Sequence, residues 1–452
     1  MKHPVYWFLI SSSLFASTSL GFAEDAQTAL TPSDSYNGNV TSEEFNVKQT
    51  SSATTYTCEG NVCISYAGKD PGLSKSCFSA TENLVFLGNG YTLCFDNITT
   101  QSSHPGAISV SVDDKTLGIS GFSLFSCAYC PPGTTGYGAI QTKGTTTLKD
   151  NSSLVFHKNC STTDGGAIQC KSDSSNAELK LENNKNLVFS ENSSKTKGGA
   201  IYADKLTIVS GGPTLFSNNS VSHASSPKGG AISIKDSDGE CSLTADLGDI
   251  TFDGNKIIKT SGDSATVKRN SIDLGTGKFT KLRAKDGFGI FFYDPITGGG
   301  STELNINEKD SSVDYTGKIV FSGEKLSDEE KTVADNLKSS FTQPLKLSAG
   351  SLVLKDGVTL EAKKVTQEEG SNVVMDLGTT LQTPSSGGET ITLTNLDINI
   401  ASLGGGGSVL LLLKSKQKTQ VKQLQSRLSI SSIPTAMLMK IPSSQHQNLS
   451  QH

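Results

Sequence analysis

The sequence predicts an all-β protein, a right-handed parallel β-helix in which the chain winds as a solenoid. Three observations carry that reading. Two short phrases recur as a pair three times between residues 156 and 232. The distance from one copy to the next is that of a repeat architecture. Between the copies lie alternating apolar and polar runs of four to six residues, bounded by Asn, Asp, Ser or Gly, which is strand patterning.

The aromatic phrase reads Phe156-His-Lys-Asn159, Phe189-Ser-Glu-Asn192 and Phe216-Ser-Asn-Asn219. The glycine phrase reads Gly165-Gly166-Ala167-Ile168, Gly198-Gly199-Ala200-Ile201 and Gly229-Gly230-Ala231-Ile232. Weaker copies extend it backward, as Pro105-Gly-Ala-Ile108 and Tyr137-Gly-Ala-Ile140, with Phe86-Leu-Gly-Asn89 for the aromatic phrase. Starts at 105, 137, 165, 198 and 229 give steps of 32, 28, 33 and 31 residues. Each step holds three strands, for example Ala200 to Tyr202, Lys205 to Val209 and Thr214 to Phe216, with corners at Asp204 and at Ser210-Gly-Gly212.

Each phrase then has a physical role. Gly-Gly supplies a corner that needs positive φ or close backbone approach, and Ala lets rungs stack without a bulky side chain. Ile and Phe point into the tube and meet their counterparts one strand spacing away, about 4.8 Å. Asn tolerates the left-handed conformation at a corner and can bond to the Asn above and below it. These residues are expected to hold the coil together before they touch any ligand.

In chain order, residues 1–23 read as a secretory signal, with Lys2, an apolar centre from Tyr6 to Leu20 and a Gly21-Phe-Ala23 end. Residues 24–57 are rich in Thr, Ser, Asn and Asp and read as a polar, mobile leader. The repeat coil is assigned to 58–265 and a continuation to 266–403, where Leu345-Lys-Leu347, Ser351 to Leu354 and Val373-Val-Met375 keep alternating without the glycine phrase. A polar excursion from Asp328 to Ser340 would allow a short helix. From 58 to 400 this gives roughly eleven turns and a rod of about 50 Å.

The composition excludes more than it selects. A net charge of -5 over 452 residues offers no concentrated basic surface for a nucleic acid. All nine cysteines lie between 58 and 241, and with an export signal an odd number leaves at least one thiol unpaired or bonded to another molecule. Cys127-Ala-Tyr-Cys130 lacks the alternating strands and helices of a redox fold and a second ligand pair for zinc, so a local disulfide or cross-link is the expectation. His104, His157 and His223 have no serine elbow or acidic partner near them in sequence. Asp236, Asp238, Asp246, Asp249 and Asp253 would be the acid-base candidates of a polysaccharide-cleaving β-helix, but their spacing fits corners better. No catalytic residue, cofactor or metal ligand is assigned, and no enzymatic activity is expected.

Repeated Gly-Gly-Ala-Ile and Phe-x-x-Asn in an exported chain resemble the polymorphic outer membrane proteins of chlamydiae, a family of autotransporters. Arg269 to Leu274, Lys278 to Arg283, Ile290 to Pro295 and Ile319 to Ser327 look like that family's middle region, so the resemblance covers roughly 1–403. It implies a surface-exposed passenger acting as an adhesin and structural envelope protein, with both phrases needed for attachment to a host cell-surface receptor. It also implies disulfide cross-links to other envelope proteins or self-association, and anchoring in the outer membrane by a terminal barrel. After Gly404-Gly-Gly-Gly407, however, residues 408–452 contain no Gly, Asp or Glu. That shift suggests a reading-frame slip in a guanine-rich tract, with an unfolded tail in place of the barrel. The protein would then be periplasmic, secreted, or the silent product of a phase-variable gene.

Overall fold

The computed structural model describes residues 26–31, 36–37, 48–65, 76–98, 100, 104–128 and 136–399 apart from 175, 176, 224 and 311, together with 412–414 and 420–424. The signal segment 1–23, Cys130 and most of the tail from 404 onward lie outside the described residues.

The chain is a parallel β-helix with three long faces. One turn shows the plan. Ile201–Ala203 lies on a face that follows the glycine phrase, Lys205–Ser210 on a leucine face, and Thr214–Ser217 on a phenylalanine face. A fourth, shorter strand, Ser220–His223, follows before the next glycine phrase. The strands and corners match the sequence reading, and the fourth strand is an addition to it. Every neighbouring pair on the three faces is parallel and a turn apart, as in Ile168↔Ile201↔Ile232, Leu181↔Ile208↔Leu243 and Phe189↔Phe216↔Phe252. Alternation puts these side chains inside, where each is fully buried.

The glycine face runs to thirteen strands among the described residues, from Lys48–Thr50 to Leu412–Lys414. At the far end, Ile391–Asn399 pairs with Val365–Gln367 of the leucine face and with Asn372–Asp376 of the phenylalanine face, joining the two. Two segments of the tail continue the coil as backbone strands, Leu412–Lys414 on the glycine face and Gln420–Leu424 beside Ile391–Asn399.

The polar stretch read as a leader at 24–57 is corrected. Ala26–Leu30 pairs in register with Thr54–Cys58, and Lys48–Thr50 pairs with Phe78–Ala80. Leu30 and Tyr56 are buried. Thr-rich strands need only one apolar residue in two to fill a narrow tube, so low hydrophobicity there did not mean absence of structure.

The polar excursion forms as expected. Helix α1, Asp328–Lys331, starts with a capping box between Ser327 and Glu330, and a 3₁₀ turn follows at Ala334–Leu337. Both lie over the end of the fourth sheet. That sheet runs through Cys160–Ser161, Ser193–Ser194, Ser220–His223 and Lys256–Ser261, then closes with the antiparallel strand Ser264–Arg269. Arg269 donates its backbone N–H to Asn336 Oδ1 at 2.7 Å, and Lys268 and Lys256 pair with Asp335 and Glu330. The excursion thereby covers part of an edge that would otherwise offer unpaired backbone groups.

Candidate functional site

The residues singled out by the repeat come together as columns inside the tube. Phe156, Phe189, Phe216, Phe252, Phe292 and Phe321 form one continuous stack, with ring centroids 4.8–5.2 Å apart and interplanar angles of 1–19°. The strand spacing imposes this separation, and near-parallel rings follow because identical side chains on consecutive rungs adopt the same rotamer.

Asn159, Asn192, Asn219 and Asn255 form a ladder beside the stack. Asn192 shows the unit: its Oδ1 accepts both the backbone N–H and the Nδ2–H of Asn159, at 3.0 and 2.9 Å. Its own Nδ2 donates back to Phe156 O and forward to Asn219 Oδ1, at 3.0 and 2.9 Å. A buried amide is thus satisfied on every side, which is what permits it inside. The residue before each rung's Asn is left-handed, with φ of 56° at Lys158, 55° at Glu191, 54° at Asn218 and 81° at Gly254. A second ladder, Asn151 to Asn184, was missed by sequence reasoning. Its signal was there: a left-handed Asp150 or Asn183 followed by Asn, 33 residues apart.

The two glycines divide the roles expected of the pair. Gly165, Gly198 and Gly229 have φ of 63–65°, while a Cβ on Gly166, Gly199 or Gly230 would run into the backbone of the next rung at Ser193, Ser220 or Lys256. Ala167, Ala200 and Ala231 and the isoleucines after them have no exposure.

The described ladder ends on a charge. Asn255 donates its backbone N–H and Nδ2–H to Asp294 Oδ2 at 2.9 and 2.7 Å, and Gly254 N–H donates to Oδ1. Asp294 is held in turn by Arg269 at 3.2 Å, and Arg269 also faces Asp253 at 3.5 Å and Glu330 at 3.7 Å. Burial pushes the Asp294 carboxyl up to about 6, against the opposing pull of Arg269 and Asn255. Nothing in the repeat pattern announced this node, because Phe292-Tyr-Asp-Pro-Ile296 lacks the fourth strand and merges the aromatic and glycine positions.

Two sequence expectations are corrected. Phe86-Leu-Gly-Asn89 is not the backward copy of the aromatic phrase, since Phe86 pairs with Ile119 on the leucine face. Its rung's true equivalent is Phe95, in register with Cys127, which is itself in register with Phe156. Cys127 therefore fills a phenylalanine position. A small cavity beside Cys127 is lined also by Phe95, Gly138 and Asn159.

For the same reason the expected Cys127 to Cys130 disulfide is not seen from the Cys127 side. The strand's alternation turns the Cys127 thiol inward, where it is 1% exposed and free. Burial pushes the thiols of Cys77, Cys127, Cys170 and Cys241 upward, so they stay protonated and poorly nucleophilic. Among the described residues a disulfide joins Cys63 and Cys94, directly opposite one another on the outward side of the phenylalanine face, with Cα atoms 4.6 Å apart.

The candidate acids do not share a groove. Asp236 binds Lys197 and Lys228 at 2.9 and 2.7 Å outside the glycine face. Asp246 pairs with Lys285 and Asp249 accepts from Gly289 N–H near the leucine–phenylalanine corner. Asp253 faces Arg269, and Asp238 is a left-handed turn residue. His157 bonds Ser190 Oγ on the phenylalanine face, whereas His223 bonds Ser225 in the fourth sheet.

Comparison with known proteins agrees with this geometry. The Chlamydia polymorphic membrane protein repeat matches residues 153–171, 186–204 and 213–235. Probable outer membrane protein pmp10 of Chlamydia pneumoniae is 38% identical over 92% of this chain and 55% of its own length. For pmp2 the figures are 42%, 92% and 50%, and for pmp12 36%, 83% and 73%. The chain thus spans about half the length of the first two relatives. No solved structure matches.

Proposed function

Because this chain belongs to the chlamydial polymorphic membrane protein family, whose relatives here are outer membrane proteins, we propose that it acts as an adhesive rod. It is an outer membrane protein, and the coil presents side chains at the cell surface. The observation that supports this reading is the division of labour within each rung. Phe189, Asn192, Gly199 and Ile201 are fully or almost fully enclosed, while Lys158, Glu191 and Asn218 project at the corner between them. The motifs serve attachment by fixing where those corner residues stand. A rod with many equivalent corners can add weak contacts as avidity.

The test is binding of the purified chain to cultured host cells, measured with far-UV circular dichroism. Replacing Asn192 by Ala should lower both binding and thermal stability, since it strands the amide of Asn159. Replacing Lys158 and Glu191 together by Ala should lower binding alone. Binding that survives loss of the corner side chains, and survives unfolding of the coil, rules the proposal out.

A further inference from the structure

The fourth sheet ends part-way along the rod in the hairpin of Lys256–Ser261 and Ser264–Arg269, and its outer strand is covered at one end only. Two bonds fix the phase of that strand. Asn270 N–H donates to Asn255 O at 3.0 Å, while Lys256 N–H donates the other way, to Asn219 O of the rung before, at 2.9 Å. Bonding sides alternate residue by residue along a strand. Ser264, Thr266 and Lys268 therefore bond within the hairpin, and the backbone groups of Ala265, Val267 and Arg269 point away from it. Asn336 Oδ1 accepts from Arg269 N–H at 2.7 Å, so a side-chain amide stands where the next strand would. Ala265 and Val267 have no such partner among the described residues, and both are exposed, Val267 by 45%. Exposed edges are normally blunted by an inward-pointing charge, a proline or a bulge. This one has none of these over Ser264–Val267, and the lysine that follows, Lys268, is drawn aside to Asp335.

We propose that Ser264–Val267 is a strand-addition site, at which an extended segment of a partner protein pairs antiparallel with the outer strand through the backbone groups of Ala265 and Val267. The side chains around the edge select the pattern of that segment. Its residues opposite Ala265 and Val267 share a face with Val267 and with half-buried Ile258, which lies directly across the hairpin from Val267, and are therefore apolar. Small Ala265 leaves room for a large one. The residue between them, opposite Thr266, lies on the other face in line with Lys259. Lys256, Lys268 and Arg269 each already face an acid, whereas Lys259 is exposed and has no ion pair among the described residues. Two strand spacings, about 10 Å, separate Lys259 from that position, a span that a lysine and a glutamate side chain close together. The segment that fits therefore reads apolar, acidic, apolar. The site lies apart from the corner residues proposed for attachment and does not rest on that reading.

The test uses the full chain and a fluorescein-labelled Thr-Val-Glu-Val-Thr peptide, followed by fluorescence anisotropy up to about 1 mM protein, the range that a few backbone hydrogen bonds supply. Wild type is expected to bind it. In antiparallel addition the N–H groups of both valines point at the edge and that of the glutamate points away. N-methylation of either valine should therefore weaken binding about tenfold, and N-methylation of the glutamate should leave it within about twofold. Val267→Pro removes an outward N–H without costing a bond inside the hairpin and should weaken binding about tenfold with an unchanged circular dichroism spectrum. Ala265→Pro is the second variant and should do the same if the first does not fold. Lys259→Ala should weaken binding about threefold at low salt and leave it unchanged in high salt. No binding over this range, equal binding by the valine-methylated and glutamate-methylated peptides, or a proline variant that folds and binds as wild type does, overturns the proposal. Loss of binding on methylating the glutamate alone overturns the apolar, acidic, apolar register.

Discussion

The long rungs between Phe156 and Phe292 and the short rungs between Leu345 and Asn399 are two solutions to one problem. In the first region, stack members lie 27–40 residues apart and are the same residue each time. In the second, Leu354 is followed by Met375 after 21 residues and by Ile398 after 23. The long rungs carry a fourth strand, two glycines per turn and a ladder of identical amides. The short rungs bond heterotypically: Gln367 accepts from Thr394 and Asn395 N–H, Asn372 donates to Asp397, and Asn399 donates to Asp376. Parallel stacking needs matched width at every level. A four-sided turn meets that need with identical residues, whereas a three-sided turn fills its narrower centre with any aliphatic side chain.

The largest contrast should come from the stacks. Phe189→Ala removes a ring from between two others 4.8 and 4.9 Å away and should destabilise the coil by about 3–5 kcal/mol. Leu354→Ala, at the equivalent site of a short rung, should cost about 2–5 kcal/mol and less than Phe189→Ala, because the neighbours Met375 and Phe321 can settle into the gap. Chemical denaturation of both variants measures the difference, and equal losses would remove the distinction between identical and mixed columns.

At the junction the comparison becomes a pH dependence. Folding raises the Asp294 carboxyl from its ordinary 3.8 to about 6. The folded state therefore binds this proton more tightly than the unfolded state does. The resulting stabilisation is fully present below about pH 4 and is lost as pH rises through about 6. Asp294→Asn can still accept from Asn255 but does not titrate. Between pH 4 and pH 7 the stability gap between wild type and variant should change by on the order of 2–3 kcal/mol. Parallel pH profiles would show that the ladder's end is not where the charge cost sits.

Glycine substitutions sharpen the contrast further. Gly198 in a long rung and Gly357 in a short one both have positive φ, 64° and 79°. A Cβ at Gly198 would strike Ile201 O, whereas one at Gly357 meets nothing within 4 Å. Gly357→Ala should cost about 1–2 kcal/mol for the left-handed backbone alone, and Gly198→Ala more than that, as melting temperatures would report. The smallest effect is expected on the outer surface. There Glu178, Lys205, Glu240 and Lys278 alternate in register on the leucine face, with Lys205 3.3 Å and Lys278 3.5 Å from Glu240. Lys205→Ala should change stability by less than about 1 kcal/mol, and less still in high salt.

Much of this was legible in the sequence because solenoid stacking converts position in a turn into residue identity. Ile168, Ile201 and Ile232 could be aligned by eye, and the structure superposes them. Phe86 misled because a phenylalanine followed three residues later by an asparagine satisfies the pattern on either face; only register tells the faces apart. Cys127 misled in the opposite way. Three residues before Cys130, it looked like half of a local pair, yet its phase in the strand points it inward.

By itself the sequence determined the fold class, the turn length through the repeats and the identity of the columns, since each is a matter of period and residue type. Only the tertiary structure decided that Asp294 and Arg269 close the ladder and that Cys63 meets Cys94. Those contacts join positions whose separations vary from rung to rung. Register, a property of paired backbones, brings them together where no fixed spacing could.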